Sequence, residues 1–141
     1  MQELLIEAKT ENLNAVLEFV NAQLEAVDCP MKTQTQFAIA VEEVFVNIAH
    51  YAYKTADNQH PEIGGAAIRV TVGDEVRIEF EDKGKPYNPL EKDDPDITVG
   101  ADEREIGGLG IYMVKNFMDA VEYRREDNKN ILLIRKAVKP D

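Results

Sequence analysis

One amphipathic segment, residues 33–53, constrains the fold of this chain more than any other feature. At 100° per residue, five of its large apolar side chains fall within one sector of about 100°, and four polar side chains form a separate stripe. The pattern predicts a helix that packs one face onto a sheet. The apolar sector contains Phe37, Val41, Val44, Phe45 and Ile48. The polar stripe contains Glu43, Asn47, His50 and Lys54.

The remaining periodic segments predict the layers around this helix. Helical spacing predicts further helices over residues 12–27, with Thr10 as the N-cap, and over residues 108–118. Because the order lacks strict βαβ alternation, the predicted class is α+β: a two-layer sandwich with a mixed, mostly antiparallel sheet and helices on one face. Runs of β-forming residues predict strands over residues 4–9, 67–72, 75–81, 119–125 and 131–138. The last four strands form two hairpins around turns at 73–74 and 127–130.

Composition limits the partners that such a chain accepts. The 141 residues suit a single domain, and 16 basic against 27 acidic residues give a net charge of −11. Such a chain repels phosphate backbones, so we expect no direct nucleic-acid binding and a preference for basic partners. No apolar run approaches the roughly 20 residues of a membrane span. The single cysteine, Cys29, excludes an internal disulfide and predicts a small buried hydrophobe in a reducing cytoplasm.

Glu43 and Asn47 are the first candidate functional pair. They are four residues apart, so they lie one turn apart on the same flank of the predicted helix. A carboxylate beside an amide suits a Mg²⁺ site, or a base next to a metal ligand. The alternative is a pair of solvated polar side chains. His50 has the same two interpretations, either catalytic or simply exposed and hydrogen-bonded.

Asp82, Gly84 and Pro86 follow the predicted strand 75–81 and form the second candidate group. A buried carboxylate at a strand end can accept a hydrogen bond from an amino group such as the exocyclic amine of adenine. Glycine lets a ligand approach the backbone closely, and proline stiffens the segment that follows. The alternative is an ordinary turn, which these residue types also favour. The long loop over residues 83–105 is typical of a functional lid.

Three glycines, Gly107, Gly108 and Gly110, mark the start of the third predicted helix. Free backbone N–H groups and the positive end of the helix dipole are typical of an anion site. The run is neither a Walker A motif nor a dinucleotide fingerprint. Arg104 and Lys115 flank it, either as phosphate contacts or as solvated side chains.

The order and spacing of the three motifs are more specific than any one of them. Glu-x-x-x-Asn on a helix, Asp-x-Gly-x-Pro after a strand and Gly-Gly-Leu-Gly at a helix start resemble the ATP site of the GHKL superfamily, the fold of gyrase-type ATPases and histidine-kinase catalytic domains. The runs VNIAHYAY, DKGKPYNP and GGLGIYMVKNFMD resemble, more closely, the small bacterial anti-sigma factor serine/threonine protein kinases. The resemblance implies one ATP-binding kinase domain over residues 1–141, with an ATP lid at about 90–106.

The resemblance also implies roles for particular residues. Glu43 matches the general base, Asn47 the Mg²⁺ ligand and Asp82 the aspartate that recognises the adenine amine. Gly84 matches the glycine that lets the base approach. Tyr51 departs from the pattern, because many members have histidine there. The implied nucleotide-binding residues are Asn47, Asp82, Gly84, Pro86, Gly108, Leu109 and Gly110.

The implied function is that of an anti-sigma regulatory factor with ATP-dependent serine/threonine kinase activity. Such a protein sequesters a sigma factor and phosphorylates an anti-anti-sigma protein of the STAS type, using ATP and Mg²⁺, and is typically a homodimer. One alternative is a non-catalytic binding module whose affinity for a partner protein follows the bound adenine nucleotide. Another is the catalytic domain of a histidine kinase.

Overall fold

The computed structural model describes residues 1–53, 64–91 and 108–138. Within these ranges, five strands and three helices follow one another in the order β1, α1, α2, β2, β3, α3, β4, β5. A π-helical turn, Ile48–Ala52, continues α2. The strands are β1 (Gln2–Glu7), β2 (Gly65–Thr71), β3 (Glu75–Asp82), β4 (Ala120–Glu126) and β5 (Lys129–Ala137). The helices are α1 (Leu13–Glu25), α2 (Met31–Asn47) and α3 (Gly108–Phe117).

The described strands form one sheet in the spatial order β1-β2-β3-β5-β4. Every neighbouring pair is antiparallel, which confirms the α+β class and makes this sheet more uniform than the mixed one predicted. The register pairs Asp82 at the end of β3 with Asn130 near the start of β5. Chain segments far apart in sequence therefore meet at one end of the sheet.

All three helices cover the same face of the sheet, and the core lies between the two layers. The predicted apolar sector of α2 is confirmed, because each of its five members is buried. The outer face carries charged pairs instead. Arg69 contacts Glu3, Glu79 and Glu81 there, which ties β1, β2 and β3 together. The core includes Val16 and Val20 from α1, Val114 from α3, and Ile68, Ile78, Phe80 and Ile134 from the sheet.

Two predicted helix ends were wrong. Thr10 is not the N-cap of α1, because a 3₁₀ turn over Thr10–Asn12 precedes the helix and puts Asn12 at the cap position. The Asn12 amide donates to the Glu7 carbonyl (2.9 Å) instead of capping the helix. The second helix was predicted to remain regular to residue 53, but its α-helical part ends at Asn47 and a π turn follows. The Ala52 carbonyl in that turn accepts a hydrogen bond from the distant Lys85 N–H, so a tertiary contact holds it.

The closing hairpin has a shorter turn than predicted. Only Asp127 and Asn128 lie between β4 and β5, with φ of 52° and 62°. Both residue types tolerate the left-handed region that a tight two-residue hairpin turn requires. Lys129 and Asn130, predicted to be turn residues, therefore belong to β5. Cys29 is buried, as predicted, and burial raises the pKa of its thiol.

Candidate functional site

A cleft lies between the C-terminal part of α2 and the end of the sheet where β3 and β5 meet. The space between its walls is about 410 Å³ when the open solvent at its mouth is counted. Apolar side chains such as Ile48, Phe80 and Ile111 form most of its wall, with a small number of polar groups among them. This mixture is typical of a small-molecule site. The polar lining residues are Asn47, Asp82, Tyr87, Tyr123 and Asn130.

Asp82 is the buried charge of this cleft, with 5% of its surface exposed. Its Oδ1 accepts hydrogen bonds from the Gly84 N–H and from Asn130 Nδ2, both at 2.9 Å. Its Oδ2 accepts none from the described residues, so this oxygen remains available to a donor on a ligand. Burial raises the pKa of Asp82, while the two hydrogen bonds and the charge of Arg125 partly oppose that rise.

Asn130 is the site residue that sequence reasoning missed. Its Nδ2 donates to Asp82 and to the Lys85 carbonyl (2.7 Å), and its Oδ1 accepts from the Tyr87 N–H (3.2 Å) and the Tyr123 hydroxyl (2.5 Å). One buried amide thus uses its full bonding capacity to join Asp82 to the loop that follows. Asp-Asn favours a two-residue hairpin turn, and this preference would have placed Asn130 on a strand. Which residue of the neighbouring strand lies opposite Asn130, however, depends on the strand register.

Gly84 lies against the chain itself. A Cβ at this position would collide with the carbonyl group and side chain of Ala52 in the π turn. The neighbouring Lys85 N–H donates to the same Ala52 carbonyl at 2.9 Å, and Arg125 Nη1 donates to the Gly84 carbonyl at 2.8 Å. The fold therefore requires glycine here independently of any ligand. Pro86 follows as an exposed residue of this loop.

Tyrosines add two further links between the π turn and the loop after β3. The Tyr53 hydroxyl accepts from the Lys83 N–H (2.9 Å) and donates to the Gly65 carbonyl (2.6 Å), bridging β2 and β3 where their ladder ends. The Tyr51 ring stacks on Tyr87, with centroids 5.3 Å apart. The segment that follows Asn47 is thus attached directly to the segment that follows Asp82.

Glu43 and Asn47 face each other along one flank of α2. Asn47 Nδ2 donates to Glu43 Oε1 at 3.3 Å, and both side chains are partly buried. The Asn47 Oδ1 accepts no hydrogen bond from the described residues. His50, the next member of the predicted stripe, is exposed, and its ring is nearly perpendicular to that of Tyr51. Lys54 lies outside the described residues.

Helix α3 begins at Gly108 and continues through Leu109 and Gly110. The structure brings Gly110 against the Glu43 carboxylate: a Cβ on Gly110 would overlap its Cδ and both oxygens. The first N–H groups of any helix have no partner within the helix, so this end of α3 offers donors near Glu43. Gly107, Arg104 and residues 92–106 of the predicted lid lie outside the described residues, and the lid stays a prediction.

Residues 1–53, 64–91 and 108–138 lack two features that would point to other kinds of site. These ranges contain no group of three or more histidine, cysteine, aspartate or glutamate side chains arranged to hold a metal ion. No helix in the described parts combines the length and the apolar character needed to cross a bilayer.

Comparison with known proteins decides the family. A family model described as "Histidine kinase-like ATPase domain" matches residues 6–136, nearly the whole chain. This chain belongs to the histidine kinase-like ATPase family. The three motifs that resemble the GHKL ATP site therefore lie in a chain that has both the sequence pattern and the two-layer fold of the histidine kinase-like ATPase family.

Curated relatives of this ATPase-family chain have related names. The serine/threonine-protein kinase BtrW of Bordetella bronchiseptica is 28% identical over 106 residues, which cover 73% of this chain and 70% of that protein. An anti-sigma F factor of Clostridium perfringens is 27% identical over 129 residues, which cover 92% of this chain and 89% of that protein. Sequence relatives thus include both protein kinases and anti-sigma factors.

A solved structure shows the same fold. The structure of the RsbU and RsbW domains of a Mycobacterium tuberculosis protein superposes on 99% of this chain with a TM-score of 0.62 and 12% identity. This chain spans 34% of that longer protein. At 12% identity, the match shows the histidine kinase-like ATPase fold alone.

Removing the Asn130 amide should destabilise the fold and the cleft together. In Asn130→Ala, the Tyr123 hydroxyl and Asp82 each lose a buried partner, and a group left unsatisfied costs about 1–3 kcal/mol. We expect the free energy of unfolding, measured by urea denaturation, to fall by roughly 2–4 kcal/mol. Asn116→Ala, at an exposed position of α3, is the control and should change it by less than about 0.5 kcal/mol. A loss no larger than that of the control would contradict this account of the network.

The raised pKa of Asp82 predicts a pH-dependent contribution to stability. The folded protein holds this proton to higher pH than the unfolded chain, whose aspartates titrate near about 4. Between the two pKa values the native state binds more protons, so this contribution is lost as pH rises through the folded-state pKa. We expect the unfolding free energy of the wild type, minus that of Asp82→Asn, to decrease from pH 4 upwards and then level off. A difference that is flat or rises with pH would contradict this assignment.

Proposed function

We propose that this protein is an ATP-dependent serine/threonine protein kinase that acts as an anti-sigma factor. One observation carries the proposal. Asp82 lines the cleft as a buried carboxylate, with Oδ1 held by Gly84 and Asn130 and with Oδ2 free of partners among the described residues. An acceptor of this kind selects a ligand with an amino group, which adenine has.

The two ends of the nucleotide would contact different elements. Asp82 Oδ2 would accept the hydrogen bond from the exocyclic amine, while the apolar walls formed by Ile48 and Phe80 surround the ring. The first turn of α3, with Gly108, Leu109 and Gly110, would donate backbone N–H groups to the phosphates. A guanine base presents a carbonyl in place of the amine and would meet the carboxylate unfavourably.

Asn47 and Glu43 are proposed to supply the metal ligand and the general base. The donor set fits Mg²⁺, which prefers oxygen ligands and takes several of them from water and substrate phosphates. The Asn47 Oδ1 has no hydrogen bond from the described residues and would be the ligand. Bound Mg²⁺ would neutralise negative charge on the phosphates. Glu43 would orient the attacking serine hydroxyl and accept its proton.

The proposed protein partners rest on the family relatives. The relatives named serine/threonine-protein kinase and anti-sigma F factor support a sigma factor as the sequestered protein and an anti-anti-sigma protein of the STAS type as the phosphorylated one. The net charge of −11 is compatible with a partner that presents basic helices. We further propose a homodimer that works in the bacterial cytoplasm, where sigma factors act.

Calorimetric titration with ATP, with and without Mg²⁺ and with GTP as the control, tests the nucleotide site. We expect saturable binding that needs Mg²⁺ and selects adenine. Transfer of labelled γ-phosphate to serine on STAS-type proteins from the same genome then tests the kinase. Binding without transfer would favour the non-catalytic nucleotide switch. No binding at millimolar ATP would overturn both functions.

A further inference from the structure

The glycine at position 110 lacks a backbone explanation. Gly110 is the third residue of α3, where its φ lies outside the left-handed region that favours glycine. Glycine inside a helix is less favourable than alanine by about 1 kcal/mol. The local conformation therefore does not require glycine at this position.

The reason visible in the structure is the carboxylate of Glu43. An ideal Cβ on Gly110 would overlap Cδ, Oε1 and Oε2 of that side chain. From its own helix the same carboxylate receives the Asn47 amide at 3.3 Å. The carboxylate is thus held between the Asn47 side chain on α2 and the bare backbone of α3, at the end where the helix dipole attracts negative charge.

We propose that Gly110 is a positioning residue for Glu43, and that its missing side chain holds the base against the first turn of α3. The inference rests on the proposed function, in which Glu43 takes the serine proton. It adds to the phosphate-binding role that the sequence motif implies: the Gly110 N–H can still donate to a phosphate, while the Glu43 carboxylate fills the space at its Cβ position. The base and the proposed phosphate donors of α3 are thereby held in one fixed relation.

A double-mutant cycle in thermal unfolding tests the contact. In the wild type, the methyl group of Gly110→Ala would displace the Glu43 carboxylate, which is the far end of a flexible side chain, so we expect little change in the melting temperature. In Glu43→Ala the space is empty, and the same substitution should raise the melting temperature by a few degrees, because alanine favours the helix. An equal rise in the melting temperature in both backgrounds would overturn the contact.

Steady-state phosphotransfer tests the positioning role. Gly110→Ala keeps the backbone N–H groups, so we expect kcat to fall by about 100-fold while KM for ATP changes by less than about threefold. In the Glu43→Ala background it should cause no further loss of kcat. Gly65→Ala is the control, because its Cβ would meet only the Ile6 carbonyl at 3.8 Å. We expect wild-type kcat for this control.

Each failure has a distinct signature. If Gly110→Ala keeps wild-type kcat while Glu43→Ala loses it, Gly110 does not position the base and the inference is wrong. A rise in KM for ATP with unchanged kcat would show that the missing side chain serves phosphate binding alone, and would also overturn the inference. If Glu43→Ala itself keeps wild-type kcat, the proposed base is wrong, even if the melting temperatures still show that Gly110 and Glu43 touch.

Discussion

Replacing Asp82 with asparagine should abolish tight ATP binding while leaving the fold intact. The asparagine Oδ1 can accept the same two hydrogen bonds, from Gly84 N–H and Asn130 Nδ2, that the aspartate accepts now. The other carboxylate oxygen becomes an NH₂ group that would face the adenine amine, so that one donor faces another. A hydrogen bond to a charged group contributes about 1.5–3 kcal/mol, and its replacement by a repulsive pair raises the loss further.

We therefore expect the dissociation constant for ATP to rise at least about 100-fold, since each 1.4 kcal/mol is a factor of ten. Isothermal titration calorimetry measures it directly. Because burial raises the pKa of Asp82, the neutral amide should keep or increase the melting temperature at pH 7. Glu122→Gln, the same chemical change at an exposed position of β4, should bind ATP like the wild type. Wild-type affinity in Asp82→Asn would show that the adenine site is elsewhere.

Replacing Glu43 with glutamine should separate binding from phosphotransfer. Glutamine has nearly the same shape and retains an Oε1 that can accept the Asn47 amide, but it cannot take a proton from a serine hydroxyl. General-base catalysis typically contributes 10²- to 10⁴-fold in rate, so we expect a loss of roughly that size in transfer to a STAS-type protein. The affinity for ATP should stay within about threefold of the wild type, and binding to the sigma factor should persist.

The neighbouring Glu42 offers a matched control for that experiment. It is on the same helix one residue earlier, and its side chain is exposed. Glu42→Gln makes the same change in charge and should transfer phosphate at the wild-type rate. Equal losses in both variants would show a general charge effect. Wild-type transfer in Glu43→Gln would show that Glu43 is not the base and that another group accepts the serine proton.

Local sequence patterns were sufficient to predict most of the helices and strands. The 3.6-residue period identified the buried face of α2, and Gly-Asp at 73–74 identified the β2–β3 hairpin, because both depend on neighbours within a few residues. The turn of the last hairpin was predicted too long, although its Asp-Asn pair is a local signal for a two-residue turn. The end of the second helix was predicted wrongly because it depends on a distant residue. A hydrogen bond from the distant Lys85 N–H to the Ala52 carbonyl holds the π turn after Asn47, and no local propensity encodes it.

The sequence by itself determined that Glu43 and Asn47 share a helix flank and that Asp82 ends a strand, since helical period and strand length are local properties. Only the tertiary structure decided what surrounds them. Asn130 reaches Asp82 across 48 residues because the β3–β5 register places them opposite each other. Gly110 meets Glu43 because two helices pack on the same sheet face. Strand register and helix packing are set by the whole core, so a motif can name a functional residue but not its partner.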